Sequence, residues 1–263
     1  MMALRTAATG MAAQQLNVEV ISNNIANMNT VAFKKQRAEF QDLLYQTIRA
    51  SAIPLSTGTQ TAIGVQVGVG AKPVATQKIY EQGPVNTTNN PLDLMIDGEG
   101  FFQVQVADGT MAYSRDGGLK QDGDGHIVTS DGYKIQPEIV VPPETSKLTI
   151  SAEGKVFATI PGQVQPDLIG EIELAKFTNP AGLDAKGQNL LVPTPASGDP
   201  ILGIPGQEGF GEIRQGFLES SNVQVVQEMV SMIMSQRAYE ASAKTITAAD
   251  QMLSMANNLR SGA

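Results

Sequence analysis

The chain has 263 residues, of which 41% are hydrophobic and 17% are charged, and its formal net charge is −8. This composition is typical of a folded protein with a substantial core, in one large or two modest domains, and excludes a disordered chain. The acidic balance disfavours nucleic acid as a partner, because the densest basic cluster is only Lys34, Lys35 and Arg37. The chain contains no cysteine, which excludes disulfides and thiolate chemistry.

The N-terminal zone has the heptad pattern of one amphipathic helix. Residues 1–28 contain no proline and one glycine. Side chains at seven-residue spacing, with a partner line three residues further on, form a coiled-coil stripe of about four repeats. The first line is Leu4, Met11, Val18 and Ile25, and the second is Ala7, Gln14, Ile21 and Met28. The asparagines that follow favour turns, so the helix is predicted to end within 27–30.

The C-terminal zone, about 222–260, predicts a second and longer helix. It lacks proline and glycine, and Ser220, Ser221 or Asn222 is the predicted N-cap. A second seven-residue repeat with a partner line four residues on again indicates a heptad stripe. The first line is Val225, Met232, Tyr239, Ile246 and Leu253, and the second is Met229, Gln236, Ala243 and Asp250.

Two isolated heptad helices need something to cover their stripes, because single helices of this length are marginal in water. An intramolecular helical hairpin and packing against other copies of the chain both satisfy that need. Apolar residues in the second helix extend beyond one stripe, and methionine, a flexible side chain suited to interfaces, is frequent there. The additional residues are Val226, Val230, Ile233, Met234 and Met252. They favour a polymer.

The middle of the chain predicts a β domain. Alternating segments at 102–106, 156–160 and 171–174 are separated by frequent Asp-Gly pairs, which suit hairpin turns. A segment rich in Ser, Thr, Gly and Ala at 46–72 predicts an extended arm or loose hairpin. The expected fold class is therefore α+β, mainly β. It comprises helical segments at the two ends (1–30 and 222–263), a connecting arm (31–74 and 210–221) and a central all-β domain (75–209).

Catalytic and metal-binding patterns are missing from the sequence. The single histidine, His126, follows an Asp-Gly-Asp-Gly turn, where it is expected to be a surface residue. The same stretch fails as a calcium loop, because His126 and Tyr133 occupy positions that require oxygen ligands. We therefore expect no catalytic residue, no cofactor and no metal. A secreted cell-wall enzyme and a surface adhesin are the rival hypotheses.

Several long motifs are spread over nearly the whole chain. The N-terminal one is VISNNIANMNT at 20–30 with Phe33 and Lys34, and the C-terminal one is QRAYE at 236–240 with DQML at 250–253. The β zone adds DGEGFFQV at 97–104, YSR at 113–115, the stretch 125–132, NPAGL at 179–183 and GQNL at 187–190. Together, and in this order, these motifs resemble those of the flagellar rod and hook family, and the resemblance implies that the two terminal helices form one discontinuous coiled-coil domain. The family often has glycine before the phenylalanine, where this chain has Ala32, so a positive-φ turn is in question there.

The resemblance implies a non-enzymatic subunit whose terminal helices line the channel of a tubular polymer. The length and the 46–72 insert favour the distal-rod members, with a hook or proximal-rod subunit as the alternative. The implied partners are further copies, proximal rod proteins below, the hook protein above, the L- and P-ring proteins and the flagellar export apparatus. The implied location is the rod between periplasm and outer membrane, reached without a cleaved signal peptide and without membrane insertion.

Two groups of residues are the predicted functional positions. The helix-packing group is Leu4, Met11, Val18, Ile21, Ile25, Val225, Met229, Met232, Tyr239, Ile246 and Leu253. The arm group, expected to stiffen the polymer, is Ile53, Pro54, Gly58, Gly64, Val65, Val67 and Val69. On this hypothesis, Ile25→Asp or Ile246→Asp blocks polymerisation while the β domain still folds.

Overall fold

The structure is a computed structural model that describes residues 2–49, 64–162 and 165–261, and the chain divides into two compact units. The helical unit contains the described residues of 1–26, 36–77 and 224–263. The β unit contains 27–35 and the described residues of 78–223. The predicted class, α+β and mainly β with a helix at each end, is confirmed. The predicted connecting segments are divided differently, since 31–35 and 210–221 lie in the β unit.

Two long helices dominate the helical unit. Helix α1 is Met2–Ala26 and ends just before the asparagine-rich turn, and helix α2 is Val225–Ser261. Because α2 begins at Val225, the residue at its N-cap position is Gln224. The predicted caps at Ser220, Ser221 and Asn222 lie two or more residues further upstream. The Asn222 side chain instead accepts a hydrogen bond from the Lys35 N–H at 2.7 Å, within the β unit. That contact, rather than helix capping, accounts for this asparagine.

An antiparallel ribbon, made of two successive pairs of strands, completes the helical unit. Its strands are β1 (Gln36–Asp42), β2 (Tyr45–Arg49), β3 (Val65–Gly68) and β4 (Ala71–Lys78), with β1 paired to β4 and β2 to β3. The predicted arm is thus hairpin-like where it is described. Between β3 and β4, Gly70 has φ +128°, and a Cβ there would lie against the Thr9 hydroxyl of α1. Only glycine allows the ribbon to approach α1 so closely at this point.

The β unit is built from sixteen described strands. These are β5 (Val85–Thr87), β6 (Leu94–Asp97), β7 (Phe101–Gln105), β8 (Met111–Ser114), β9 (Lys120–Gln121), β10 (Ile127–Val128), β11 (Lys134–Gln136), β12 (Lys147–Ile150), β13 (Lys155–Thr159), β14 (Asp167–Glu171), β15 (Leu174–Lys176), β16 (Asp184–Gly187), β17 (Leu190–Val192), β18 (Ile201–Gly203), β19 (Glu212–Gln215) and β20 (Phe217–Glu219). A 3-10 turn, Pro180–Gly182, precedes β16.

The strands form one large sheet and several small ones. The large sheet has the order β16-β17-β8-β7-β11-β10-β9, with β15 also paired to β7 and β18 to β15. The smaller sheets are β12-β13-β14, β19-β6 and β20-β5. The segment 171–174, predicted as one strand, is in fact divided, because β14 ends at Glu171 and β15 begins at Leu174 in a different sheet.

The core lies on both faces of the large sheet. Neighbouring residues of a strand point to opposite faces, and in β7 both Phe101 and Phe102 are buried, in separate clusters. Gln103 between Phe102 and Val104 is also buried. The alternation predicted for 102–106 is therefore replaced by a strand covered on both sides.

Candidate assembly interface

The two helices of the helical unit meet along a seam of small and polar residues. A Cβ built on Gly10 would lie 3.6 Å from the Ser242 hydroxyl oxygen. The Asn17 amide donates a hydrogen bond to the Ser235 hydroxyl at 2.8 Å. The Asn24 amide donates to a Glu228 carboxylate oxygen at 3.2 Å. On each helix the three residues are seven apart, so the helices are antiparallel and in one constant register.

Asn24 connects three elements of the helical unit. Its side chain is only 2% exposed. Besides the Glu228 contact, its amide donates to the Gln36 carbonyl at 2.8 Å, and its carbonyl oxygen accepts from the Gln36 N–H at 2.8 Å. Both amide hydrogens and the oxygen are therefore used, which is what a buried asparagine requires. Asn24 lies within the 20–30 motif, but no local pattern in the sequence indicates these contacts with β1 and α2.

The predicted helix-packing residues fall into three classes of burial in the structure: buried, partly buried and exposed. Ile21 is buried, and a second group is partly buried on or beside the seam: Leu4, Met11, Val18, Ile25, Val225, Met232 and Ile246. By contrast, Met229, Tyr239 and Leu253 have 53%, 43% and 46% of their surface exposed. The partner line on α2 that faces α1 is three residues from the first line, not four. It consists of Glu228, Ser235, Ser242 and Ala249.

The opposite side of α2 is apolar and exposed. We call it the outer apolar surface: Val226, Met229, Val230, Ile233, Met234, Met252 and Met255. The first five follow the i, i+3, i+4, i+7 spacing that places residues on one helix face. Their exposed fractions run from 52% for Val230 to 76% for Val226. These five form one exposed apolar patch near the start of α2, while Met252 and Met255 are exposed near its C-terminal end. Exposed apolar patches are typical of interaction sites.

The ribbon also exposes apolar side chains. Leu44, Tyr45 and Ile48 are 87%, 57% and 65% exposed. Of the predicted arm residues, Val65 and Val67 are exposed on β3, while Gly64 and Val69 are partly buried. Ile53, Pro54 and Gly58 lie outside the described residues. Since a two-stranded ribbon is at best marginal alone in water, this one needs further packing to be rigid.

A buried ionic cluster lies in the β unit, where its first and last segments run side by side. Glu219 at the end of β20 is 2% exposed, Lys34 is 5% and Arg115 is 9%. The Lys34 amine donates to Glu219 Oε1 at 2.5 Å, and Arg115 Nε donates to Oε2 at 2.7 Å. The Gly83 N–H also donates to Oε1 at 2.8 Å. The carboxylate thus binds three separate chain segments.

Arg115 and Lys34 are satisfied on their other sides as well. The guanidinium of Arg115 donates to the carbonyls of Gly100 at 3.0 Å, Gly98 at 2.6 Å and Ile96 at 3.2 Å. Lys34 donates to the Glu81 carbonyl at 2.7 Å. A buried charge is tolerated only with such complete pairing. The sequence contained Lys34 and Arg115 within family motifs but gave no sign that they share a partner.

The electrostatics of the cluster favour an ionised carboxylate. Burial by itself would raise the pKa of Glu219, but the charges of Arg115 and Lys34 and their hydrogen bonds outweigh it and hold the pKa below its ordinary value. For Lys34, burial is the larger effect and lowers the pKa of the amine despite Glu219. Both groups are close to fully buried by surface area, so each must keep its partner to remain charged.

Ala32 adopts the positive-φ turn that the family resemblance leaves in question. Its φ is +55°, and its N–H donates to the Glu219 carbonyl at 2.8 Å. The positive-φ turn is thus present although alanine replaces the glycine common in the family. Alanine in this left-handed region is strained by about 1–2 kcal/mol. The Glu219 contacts hold the turn in place.

The single histidine, His126, is partly buried in the β unit and is not the exposed surface residue expected from the sequence. His126 lies near Glu138 and Lys134, with its Nδ1 3.0 Å from Glu138 Oε1. In the described ranges, no three His, Asp or Glu side chains are grouped so as to hold a metal ion. Among those same residues, no helix is both long and apolar enough to cross a membrane.

Family models match three stretches of the chain. Residues 4–34 match the flagella basal body rod protein model. Residues 95–158 match the D1 domain of the flagellar hook protein FlgE/F/G, and 214–259 match the C-terminal model of the flagellar basal body rod FlgEFG proteins. The first and third of these matches cover most of α1 and α2.

Curated relatives match over nearly the full length. The flagellar basal-body rod protein FlgG of Borreliella burgdorferi is 50% identical over 99% of both chains. The FlgG protein of Caulobacter vibrioides is 52% identical over 99% of this chain and 100% of its own, and that of Bacillus subtilis is 36% identical over 96% of each. With its paired terminal helices, ribbon and β unit, this chain belongs to the FlgG family of flagellar basal-body rod proteins, structural subunits of the flagellum.

Proposed function

We propose that the chain is a non-enzymatic building block of the distal rod that polymerises into a rigid hollow tube, transmits motor torque to the hook and forms the export channel. The observation that carries this proposal is that one side of α2 packs against α1 and the other side is apolar and exposed. The helix meets α1 through the polar seam together with the partly buried Val225, Met232 and Ile246, and it leaves the outer apolar surface exposed. Copies of the chain that stand side by side would bury those side chains.

The predicted packing residues have distinct parts in this proposal. Exposed Met229, Tyr239 and Leu253 contact other copies directly. The partly buried ones, such as Ile25 and Ile246, keep α1 and α2 together and act on assembly through the pair. The ribbon packs against neighbouring copies and stiffens the tube, with the predicted arm residues as its contacts.

The proposed partners follow from position in the rod. They are proximal rod proteins below, the hook protein above, the L- and P-ring proteins around the tube and the export apparatus that delivers the chain. An unfolded chain suits delivery through a narrow channel, since helices that are marginal alone form only once they are packed. The absence of cysteine suits a periplasmic location, where thiols are oxidised.

The test is an aspartate substitution on the outer apolar surface. Ile233 is 56% exposed, so Ile233→Asp should leave the folded monomer unchanged while placing a charge in the interface between copies. Assembly at high protein concentration would be followed by sedimentation and negative-stain imaging. We expect the wild type to form tubes and Ile233→Asp to stay monomeric with an unchanged far-UV circular dichroism spectrum.

Ser231→Asp provides the matched control. Ser231 is exposed on the same helix, and its seven-residue line, with Gln224 and Thr245, contains none of the five patch residues near the start of α2, so this variant should assemble like the wild type. Normal tubes from Ile233→Asp, or equal loss of assembly in both variants, would refute the proposed interface. The buried-side changes Ile25→Asp and Ile246→Asp are also expected to prevent assembly, but with some loss of helix.

A further inference from the structure

The structure shows which of two faces of α2 packs against α1, and the reason for that facing has to be found in the contacts. α2 carries two candidate faces for packing on α1, the seam line and the outer apolar surface. The side of α2 that faces α1 includes Val225, Met232 and Ile246, but the outer apolar surface has more large apolar side chains, so burying it against α1 would remove at least as much apolar area from water. The hydrophobic effect alone therefore does not select the face that the structure uses.

The polar contacts of the seam supply the selection. Asn24 is held by two hydrogen bonds to the Gln36 backbone, which fix the rotation of α1 on β1. Its second amide hydrogen then points to α2, where Glu228 accepts it. Ser235, which is 4% exposed, accepts from Asn17 one heptad further on. Both polar partners on α2 belong to one heptad line.

We infer that the line of Glu228, Ser235 and Ser242 on α2 is a facing determinant: it turns this side of α2 toward α1 and so keeps the outer apolar surface free for a second copy of the chain. Polar residues at core positions of coiled coils act in this way, because they contribute specificity rather than stability. Gly10 lies opposite Ser242 one heptad further along, where a Cβ would be in ordinary van der Waals contact, so the same line of α2 faces α1 at that end as well. The consequence for copies of the chain rests on the proposed function.

The facing can be measured in the monomer because the chain has no native cysteine. Gly10→Cys paired with Ser242→Cys reports the observed facing, since the two positions are in contact. Gly10→Cys paired with Ala241→Cys reports a rotated helix, because adjacent residues differ by about 100° around a helix axis. Oxidation of dilute protein with copper phenanthroline, followed by non-reducing electrophoresis, gives the yield of each intramolecular disulfide.

The decisive variant is Glu228→Ala combined with Ser235→Ala, which removes both polar partners without adding bulk. We expect the ratio of the Ser242 to the Ala241 cross-link to fall about fivefold or more, in line with the net worth of one hydrogen bond. The matched control, Gln227→Ala with Ser231→Ala, changes exposed residues of the same helix and should leave the ratio unchanged.

A conservative pair separates facing from general damage. Glu228→Gln with Ser235→Thr keeps an oxygen acceptor at each position and should keep the wild-type ratio. An unchanged ratio in the alanine variant would overturn the inference. So would loss of its helical circular dichroism, because the seam would then supply helix stability rather than facing. Failure of the wild type to form tubes would instead refute the proposed function and leave the monomer ratio as it is.

Discussion

The two units treat charge and apolar surface in opposite ways. The β unit buries three charged side chains, Lys34, Arg115 and Glu219, together with a large apolar core. The helical unit buries a seam of hydrogen-bonded polar residues between α1 and α2, and it leaves many large apolar side chains of α2 exposed. The β unit thus encloses its apolar core within one chain, whereas the helical unit leaves apolar surface uncovered. On the proposed function, the β unit is stable by itself and the helical unit makes the contacts between copies.

The largest effect is expected from breaking the ionic cluster. Glu219→Gln would leave Lys34 and Arg115 buried without a counter-charge and should lower the free energy of unfolding of the β unit by about 3–5 kcal/mol. Urea unfolding, followed by the near-UV circular dichroism of buried Tyr113, measures this. The control Glu153→Gln removes an exposed pair with Lys155 and should cost less than about 1 kcal/mol. Equal costs would show that the cluster is not what closes the β unit.

A second, smaller effect should appear with pH. The pKa of Glu219 is lower in the folded protein than its ordinary value of 4.5. Stability from this ionised group is therefore present above about pH 4.5 and lost as the pH falls through the lower folded pKa. The stability difference between wild type and Glu219→Gln should shrink as the pH is lowered from about 5 to 3. A difference that stays constant over that range would contradict the ionised assignment, and urea unfolding at each pH gives the values.

A stabilising change is expected at the turn beside the cluster. Ala32 has φ +55°, so Ala32→Gly relieves the strain of a side chain in the left-handed region. The β unit should gain up to about 1 kcal/mol, measured as a higher urea midpoint. Ala158→Gly, in β13 with ordinary backbone, serves as the control and should lose stability. A loss at Ala32 as well would mean that the positive φ is not a source of strain.

The smallest effect lies in the helical unit. Gly10 is inside α1, and a Cβ there would meet Ser242 at 3.6 Å, an ordinary contact. Gly10→Ala should therefore stabilise the helices by about 0.5–1 kcal/mol through helix propensity alone. Thermal unfolding followed at 222 nm tests this. Gly10→Leu adds bulk at the same point and should separate the helices, and a stabilising leucine would show that the seam is loosely packed.

The sequence alone was sufficient to predict the two helices, the β region and the family. Seven-residue spacing with no proline located both helices, Asp-Gly pairs and alternating segments indicated the β region, and the motifs identified the family. Local patterns suffice for these features, because helix period, turn chemistry and motif order are written within short stretches. The arm was likewise expected to be extended or hairpin-like, as β2 and β3 are.

The heptad line of α2 that meets α1 depends on tertiary contacts and could not be predicted from the local sequence. Apolar spacing suggested a line with Met229, whereas the contact uses Glu228, Ser235 and Ser242, because hydrogen-bonded partners on α1 and β1 select that face. The tertiary structure also united Lys34, Arg115 and Glu219, residues far apart in the chain that a single carboxylate joins. Long-range pairing of polar groups depends on where the chain returns in space, and no local pattern encodes that position.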